Sequence, residues 1–479
     1  MTLDPHTCYR ALRSHDARFD GRFYVAVRST RIYCRPVCTV RPPKRENCRF
    51  YPSAAAAESA GFRPCLRCRP ELAPGNASVD ATRRVAQAAA SLIEDAALED
   101  SSLEAIAGRL GITDRHLRRA FGEEFGVSPV EFAQTQRLLL AKRLLTDTAL
   151  PVTEIAFASG FRSVRRFNAL FRSRYRLQPK QLRRAAATSG ADALAFELSY
   201  RPPYDWPALS SFLGARAIAG VEALEGGAYR RTVRLTLDRK THAGWIAVEP
   251  SRRKPALRVA VSASLAKALP PVLSRVKALM DLACNPAEVA QALGPLAKGR
   301  PGMRVPGAFD GFEVAVRAIL GQQVTVAAAR TIAGRFALAF GEPVETPYPA
   351  LKTLFPAAEE VAKAKPGDVA RLGMPEARAR TVIALARAVA EGDVVLMPNA
   401  DIEATLGRLR ALPGIGEWTA QYIAMRALAW PDAYPHADYG VMKALDVKDP
   451  KAALAAGEAW RPWRAYAVMH LWQSLKTKE

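Results

Sequence analysis

The sequence predicts a multidomain, α-rich α+β protein, and three observations carry that expectation. At 479 residues the chain is too long for one ordinary core, since a domain takes roughly 150 residues. Two breaks interrupt it, "RPELAPGNASVD" at residues 69–80 and "AAATSGAD" at residues 185–192, both rich in the small and turn-forming residues that mark linkers. Beyond the second break the pattern changes. "YRRTVRLTL" and "LRVAVSASL" alternate as strands do, "PPVLSRVKALMDLA" has helical spacing, and nearly everything after residue 307 reads as helix. With a softer change near residues 297–311, this divides the chain into units at 1–74, 80–185, 193–300 and 301–479.

Lys and Arg number 69 against 46 Asp and Glu, a net charge of +23, of which +14 lies in residues 1–190 and +9 in the rest. An excess in both halves suits a polyanion contacted along much of the chain. Charge alone does not separate nucleic acid from an anionic membrane surface or from simple solubility, so the motifs must decide. No run of about 18 uncharged apolar residues exists, which excludes a spanning helix. The start, "MTLDPHTCYRALRSHD", lacks the basic-then-apolar pattern of a signal peptide, so a cytoplasmic protein is expected.

In the first unit Cys34 and Cys38 are followed, after 26 intervening residues, by Cys65 and Cys68. Two close pairs joined by a short stretch of chain suit tetrahedral Zn²⁺ ligation, and disulfides are not expected in the cytoplasm. Spacing alone describes a structural zinc site. Cys8, Cys48 and Cys284 have no such partner and read as ordinary thiols.

The second unit contains a repeat. "SLEAIAGRLGITDRHLRRAFGEEFGVSPVEF" begins at Ser102, and "PVTEIAFASGFRSVRRFNALFRSRYRLQPKQL" begins at Pro151. Ile106, Ala107 and Gly111 match Ile155, Ala156 and Gly160, 49 residues later. Each copy reads as a short helix, a turn at the Gly, and a second helix that begins polar and becomes basic, which is helix-turn-helix grammar. A pair of ordinary helical hairpins is the plainer alternative, but two copies with "RHLRRAF" and "RRF" favour DNA.

The last unit contains "LPGIGEWTAQYIAMRAL" from Leu412, and about 20 residues later "PHADYGVMKAL", in which Asp438 is the only carboxylate. Gly414 and Gly416 allow a tight turn whose backbone amides can meet a phosphate, with a monovalent cation as a further cofactor expected there. Alone, such a turn is usually just a turn, and an Asp at a helix start is often just a cap.

Residues 20–70 resemble the N-terminal domain of the Ada methylation-response regulators almost throughout. That resemblance implies that Cys34, Cys38, Cys65 and Cys68 all bind zinc and that Cys34 takes a methyl group from a DNA methylphosphotriester. The chemistry is reasonable, because the thiolate is the nucleophile and zinc keeps sulfur deprotonated. Four thiolates on Zn²⁺ carry a formal −2, and methylation reduces this to −1, so repulsion from DNA falls; in the family this converts the protein into a transcriptional activator. Arg31, Arg35, Arg41, Lys44 and Arg45 are expected to hold the neighbouring intact phosphates. Residues 83–184 resemble the AraC-type DNA-binding domain, with Arg115, His116, Arg118, Arg119, Arg162, Ser163, Arg165 and Arg166 as candidate DNA contacts. Ada proteins typically continue into a domain with a reactive Pro-Cys-His-Arg motif, which this sequence does not contain.

Hairpin followed by acid is instead the pattern of the helix-hairpin-helix DNA glycosylases. Residues 196–475 closely resemble the AlkA type of 3-methyladenine glycosylase through "YRPPYDWPAL", "DLACNPAEV", "VRAILGQQVTVAAA" and "WRPWRAYAVMHLW". This implies an antiparallel sheet with helices, then a helical domain with the active site in the cleft. Asp438 would be the catalytic carboxylate. Trp418 stands where bifunctional relatives carry a Schiff-base Lys, which implies a monofunctional enzyme. The base pocket is expected to use Trp418, Tyr422, Tyr439 and Trp472, assisted by Tyr204 and Trp206, and Gln323 occupies the wedge position. N3- and N7-alkylated purines are cationic, so they suit an electron-rich pocket and need extrusion from the stack. The expected partners are alkylated DNA, promoter DNA and RNA polymerase, with a monomer as the working unit and no membrane. Two rival readings remain, a zinc-containing transcription factor whose glycosylase half only grips DNA, and a glycosylase whose N-terminal half is a tether.

Overall fold

A computed structural model describes residues 4–74, 81–95, 103–110, 112–148, 150–183, 193–237, 240–398 and 400–476. The break at 185–192, residues 75–80 of the first break, and Gly111 lie outside these.

The chain enters through α1 (Pro5–Arg13), whose first amides are capped by Asp4. Four short strands follow, β1 (Tyr24–Val27), β2 (Ile32–Cys34), β3 (Cys48–Tyr51) and β4 (Arg63–Pro64), with α2 (Ala54–Ser59) before the last. They form a sheet in the order β3-β1-β2-β4. The parallel pairing of Tyr33 with Pro64 matters most, because it sets the next residues of each strand, Cys34 and Cys65, side by side. The start of the first break is ordered and anchored. Glu71 is buried against Lys142 at 2.6 Å, and Arg69 pairs with Asp147 at 2.7 Å.

Helices α3 (Ala81–Asp95), α4 (Leu103–Arg109) and α5 (Asp114–Phe125) lead into the long α6 (Pro129–Asp147), and α7 (Val152–Ala158), α8 (Val164–Tyr175) and the short α9 (Pro179–Leu182) follow. The pairs α4/α5 and α7/α8 are the two repeat copies. Their second helices end alike, on Gly126 and Arg176, both left-handed. Helix α6, not anticipated from the sequence, begins with a capping box between Ser128 and Glu131. Its central run "TQRLLLAKRLL" has little polar face, and such a helix belongs inside. Accordingly Leu138, Ala141, Leu144 and Leu145 are fully buried.

The five-stranded sheet has β5 (Ala193–Ser199), β6 (Glu222–Glu225), β7 (Ala228–Leu237), β8 (Lys240–Pro250) and β9 (Ala256–Ser262). It is antiparallel throughout, in the order β5-β9-β8-β7-β6. Helices α10 (Trp206–Ala215), α11 (Leu269–Leu279) and α12 (Pro286–Leu293) accompany it. The remainder is helical, through α13 (Gly311–Leu320), α14 (Val326–Phe340), α15 (Ala358–Val361), α16 (Pro366–Ala370), α17 (Glu376–Ala390), α18 (Ile402–Ala411), α19 (Glu417–Arg426), α20 (Tyr439–Leu445), α21 (Pro450–Gly457) and α22 (Arg464–Lys476). The α-rich α+β class expected from the sequence therefore holds. Among the described residues no helix is long and apolar enough to cross a membrane.

The cores do not follow the sequence units. Phe167, Phe171 and Tyr175 of the second repeat copy share one continuous buried cluster with Leu194 and Phe196 of β5 and with the helical part beyond, whereas Ile106, Leu117 and Phe121 of the first copy sit in a separate, smaller cluster with α3 and with Ala55 and Ala56 of α2.

Candidate zinc centre, DNA-reading helices and glycosylase pocket

The Sγ atoms of Cys34, Cys38, Cys65 and Cys68 all lie within 4.8 Å of one another. A tetrahedron with Zn–S bonds of about 2.3 Å has edges of about 3.8 Å, so this sulfur set fits zinc. Cys34, Cys38 and Cys65 are buried and Cys68 is partly exposed. Two backbone amides, of Arg35 and Arg67, donate to Cys68 Sγ and Cys65 Sγ, each at 3.4 Å. They supply the second-layer hydrogen bonds that orient such ligands.

Arg35 does not have the role expected of it. Its guanidinium is buried, held by the Asp20 carboxylate through Nε at 2.8 Å and through Nη2, and it donates to the Cys68 carbonyl at 3.2 Å. A phosphate has no access to a cation used this way. Arg31, Arg41, Lys44 and Arg45 are exposed, with Arg45 lying over the Tyr9 and Phe50 rings.

In the repeat, Thr113 caps α5 and Ser163 caps α8, each hydroxyl accepting from the amide three residues on. Ser163 therefore shapes the start of its helix, which is the reason its residue type is needed there. Arg115, Arg118, Arg119, Arg162, Arg165 and Arg166 are exposed and His116 is half-buried. Arg118 also pairs with Asp114 at 2.9 Å.

The hairpin joins α18 to α19. Gly414 needs its glycine, since φ is +85° and a Cβ would meet Thr381 Oγ1 at 2.2 Å. Gly416 has no such intramolecular reason. Its φ is −87°, and nothing lies within 4 Å of where its Cβ would stand.

Asp438 is fixed from three directions. Trp418 Nε1 donates to Oδ2 at 2.9 Å, Trp472 Nε1 donates to Oδ1 at 2.8 Å, and the Val441 amide donates to Oδ1 at 3.0 Å. Asp438 is thus a helix cap and the centre of an aromatic cluster at once. Trp418 stacks on Tyr422 with centroids 5.5 Å apart and planes 20° apart, and Tyr422 meets Trp472 at 6.4 Å. Burial pushes the Tyr422 phenol up, but the guanidinium groups of Arg426 and Arg216 outweigh it and hold the phenol below its usual range; Arg426 Nη1 donates to the hydroxyl at 2.8 Å. Tyr439 sits at the rim, 75% exposed. Tyr204 and Trp206 are not brought into the cluster. Tyr204 donates to the Met280 carbonyl and stacks on Tyr200, and the Trp206 indole donates to the Gly227 carbonyl. Gln323 is an exposed residue in a left-handed conformation, φ +55°.

Four family models match the chain: the metal binding domain of Ada at residues 7–71, a helix-turn-helix domain at 106–185, the AlkA N-terminal domain at 195–310, and the HhH-GPD superfamily of base excision DNA repair proteins at 316–449. A probable bifunctional transcriptional activator/DNA repair enzyme AlkA of Mycobacterium tuberculosis is 40% identical, over 99% of this chain and 97% of that one. The chain belongs to this bifunctional activator/repair family. DNA-3-methyladenine glycosylase 2 of Escherichia coli is 36% identical over 58% of this chain and 96% of its own length. The bifunctional transcriptional activator/DNA repair enzyme AdaA of Bacillus subtilis is 32% identical over 36% of this chain and 81% of its own. The fusion of transcription activation with DNA glycosylase repair is therefore a property of the family to which the chain belongs, and its zinc-binding unit accords with the sulfur cluster.

In this bifunctional protein Phe212 was not singled out by sequence. It stacks on Trp472, with centroids 6.2 Å apart and planes 15° apart, and carries Arg216 and Arg426 over its ring at 3.8 and 4.9 Å. In "ALSSFLGARA" it reads as one more apolar helix position, and only the folded contact with Trp472 distinguishes it.

Proposed function

We propose that the protein repairs alkylated DNA in two ways and uses one of them as a signal. Units at 1–74, 80–185, 193–300 and 301–479 divide the work. Asp438, held by two indole N–H groups and a helix amide, is the observation that carries the enzymatic half of this reading. Charge-assisted donors fix a carboxylate's orientation more firmly than neutral contacts do, and this one stands beside Trp418, Tyr422 and Trp472 rings.

The glycosylase acts on N-alkylated bases of the 3-methyladenine and 7-methylguanine type. The extruded, cationic base stacks among the aromatic rings and leaves as a neutral base when the N-glycosidic bond breaks. Asp438 stabilises the positive charge that develops on the sugar and assists attack by water, leaving an abasic site. Trp418 occupies the position of a Schiff-base Lys, so the strand is not cut there. Gly416 leaves room for a phosphate at the hairpin, where a monovalent cation would supply positive charge towards that phosphate. Gln323 fills the space that the base leaves.

The sensor half rests on Cys34. Cys34, Cys38, Cys65 and Cys68 would hold zinc, which when bound keeps the sulfurs deprotonated at neutral pH. Cys34 sulfur forms a bond to the methyl carbon of a methylphosphotriester as the carbon–oxygen bond breaks, and the phosphate leaves as an ordinary phosphodiester anion. The resulting thioether lowers the negative charge beside DNA. The two basic helices α5 and α8 then hold promoter DNA more tightly, and the protein, working as a monomer, recruits RNA polymerase.

One incubation with methylated duplex DNA tests both halves. Wild type should release alkylated bases and Asp438→Asn should release them at least about a hundredfold more slowly, while the Cys34 peptide gains one methyl group in both. Equal release, or none, sinks the glycosylase reading in favour of a DNA-gripping transcription factor. A Cys34 peptide of unchanged mass sinks the sensor reading and leaves a tether.

A further inference from the structure

The turn that carries Gln323 is tied to the hairpin by side chains that nothing above assigns. Gln322, the preceding residue, ends its amide nitrogen between two acceptors, the Gly414 carbonyl at 2.9 Å and Thr419 Oγ1 at 3.0 Å. Its own carbonyl accepts from Arg378 Nη2 at 2.7 Å. Arg378 belongs to α17, as does Thr381, the residue whose hydroxyl fills the space against Gly414. The end of α13, the start of α17 and the hairpin are thus joined at one point. Beyond that point residues 323–328 are all exposed, with Val324 38% and Val326 44% exposed. The turn itself makes a left-handed bend at Gln323, a conformation that an unsupported glutamine adopts only at a cost.

We infer that Gln322 and Arg378 are positioning residues for base extrusion, locking the exposed 323–326 turn to the phosphate-binding hairpin so that the two act on DNA as one jaw. This rests on the glycosylase reading. A wedge must press against the stack while the backbone is held still. If the turn could give way when it meets the stack, the energy of phosphate binding would not reach the base. The Gln322 side-chain amide bridges the two parts directly, and Arg378 fixes the backbone carbonyl of the same residue. The acceptor pair explains why glutamine is used. Glutamate has the same length but no N–H, and it would face the Gly414 carbonyl with a repelling oxygen. The role is in extrusion rather than bond cleavage, because neither residue reaches the Asp438 cluster through any of these bonds.

The test compares single-turnover release of 7-methylguanine from two duplexes, one with the lesion paired to cytosine and one with it facing a tetrahydrofuran abasic analogue. An unpaired base needs little force to leave the stack. Gln322→Glu should slow release from the paired duplex about tenfold to a hundredfold while changing release from the unpaired duplex less than about threefold. Arg378→Met should do the same, and Arg378→Lys should recover part of the loss. Should Gln322→Glu lower the melting temperature of the protein, the Arg378 pair decides. Equal slowing on both duplexes, or slowing on neither, overturns the inference while leaving the glycosylase reading intact. A wild type that releases nothing from either overturns both.

Discussion

At Gly440 the absence of a side chain is a requirement of the site. It lies in α20, where alanine would ordinarily stabilise the helix by about 1 kcal/mol. A Cβ there would stand 2.9 Å from Trp472 Cδ1 and 3.0 Å from Asp438 Oδ1. Either the indole turns and gives up its bond to the carboxylate, or the carboxylate moves. Gly440→Ala is therefore expected to slow base release by about tenfold to a hundredfold, the scale for losing one positioned donor or misplacing a reacting group, with a melting temperature within a few degrees of wild type. Single-turnover release and thermal denaturation of the same preparation check it. A variant with full activity would show that the Trp472 bond does not position Asp438.

Among the elements, α6 shows best how helices of ordinary composition become a frame. Lys142 and Asp147 face the zinc unit, Arg143 donates to the Glu197 carbonyl of β5 at 2.8 Å, and Thr135 donates to Glu58 of α2 at 3.2 Å. Glu58 is buried, and it also accepts from the Tyr33 and Tyr175 hydroxyls at 2.9 and 3.2 Å. Tyr33 directly precedes the Cys34 ligand and Tyr175 ends α8, so this carboxyl ties the first unit to two helices of the second. Burial raises it to about 7; the three hydroxyls and the Arg174 charge lower it only in part. A carboxyl whose folded value is raised binds its proton more tightly when folded, so its contribution to stability is complete below about pH 4.5 and is lost as pH rises towards 7. Glu58→Gln should flatten the fall in stability across that window. Relative to wild type it should gain up to about 3 kcal/mol at pH 8, as read from denaturant melts at pH 5 and pH 8. A pH dependence identical to wild type would show that Glu58 titrates as an exposed carboxyl does.

In the molecule as a whole, the zinc unit is built onto the glycosylase. Asp20 grips Arg35 with its carboxylate, while its backbone carbonyl accepts from Arg201 Nη2 at 2.8 Å. Arg201 is 1% exposed and its other arm reaches the Ala283 carbonyl at 2.9 Å. Arg22 pairs with Glu288 at 2.6 Å nearby. Arg201→Met deprives both carbonyls of this donor, at about 1–3 kcal/mol each. The zinc unit should then be cut from the rest by protease several-fold faster while its zinc content, measured by metal analysis, is unchanged. Removing zinc with a chelator should expose the same unit in wild type, since ligation supplies much of the stability of so small a core. Equal cutting of wild type and Arg201→Met, with zinc in place, would show that the two units are joined elsewhere.

Chemistry carried by short spacing was legible before any fold was known. Four cysteines in two close pairs, two copies of a basic helix-turn-helix, and Leu-Pro-Gly-Ile-Gly followed by Asp438 each lie within a few dozen residues, and the resemblance of the surrounding sequence to known families, not the spacing alone, gave them their chemical meaning. Their backbone geometry is local, so the residue types that permit it recur at fixed intervals. The sequence by itself therefore determined the zinc-binding unit, the paired helix-turn-helix, the α-rich α+β class and the membership of a repair family. Tertiary structure decided how each side chain is used. Arg35 looked like a phosphate ligand among other arginines until Asp20 closed on it. Tyr204 and Trp206 looked like pocket aromatics until they bonded to Met280 and Gly227, and Phe212 entered the cluster in their place. Gln322 shows the same limit, since its partners lie 92 and 97 residues away. Contacts at such separations are set by how whole elements pack, and no periodicity along the chain encodes them.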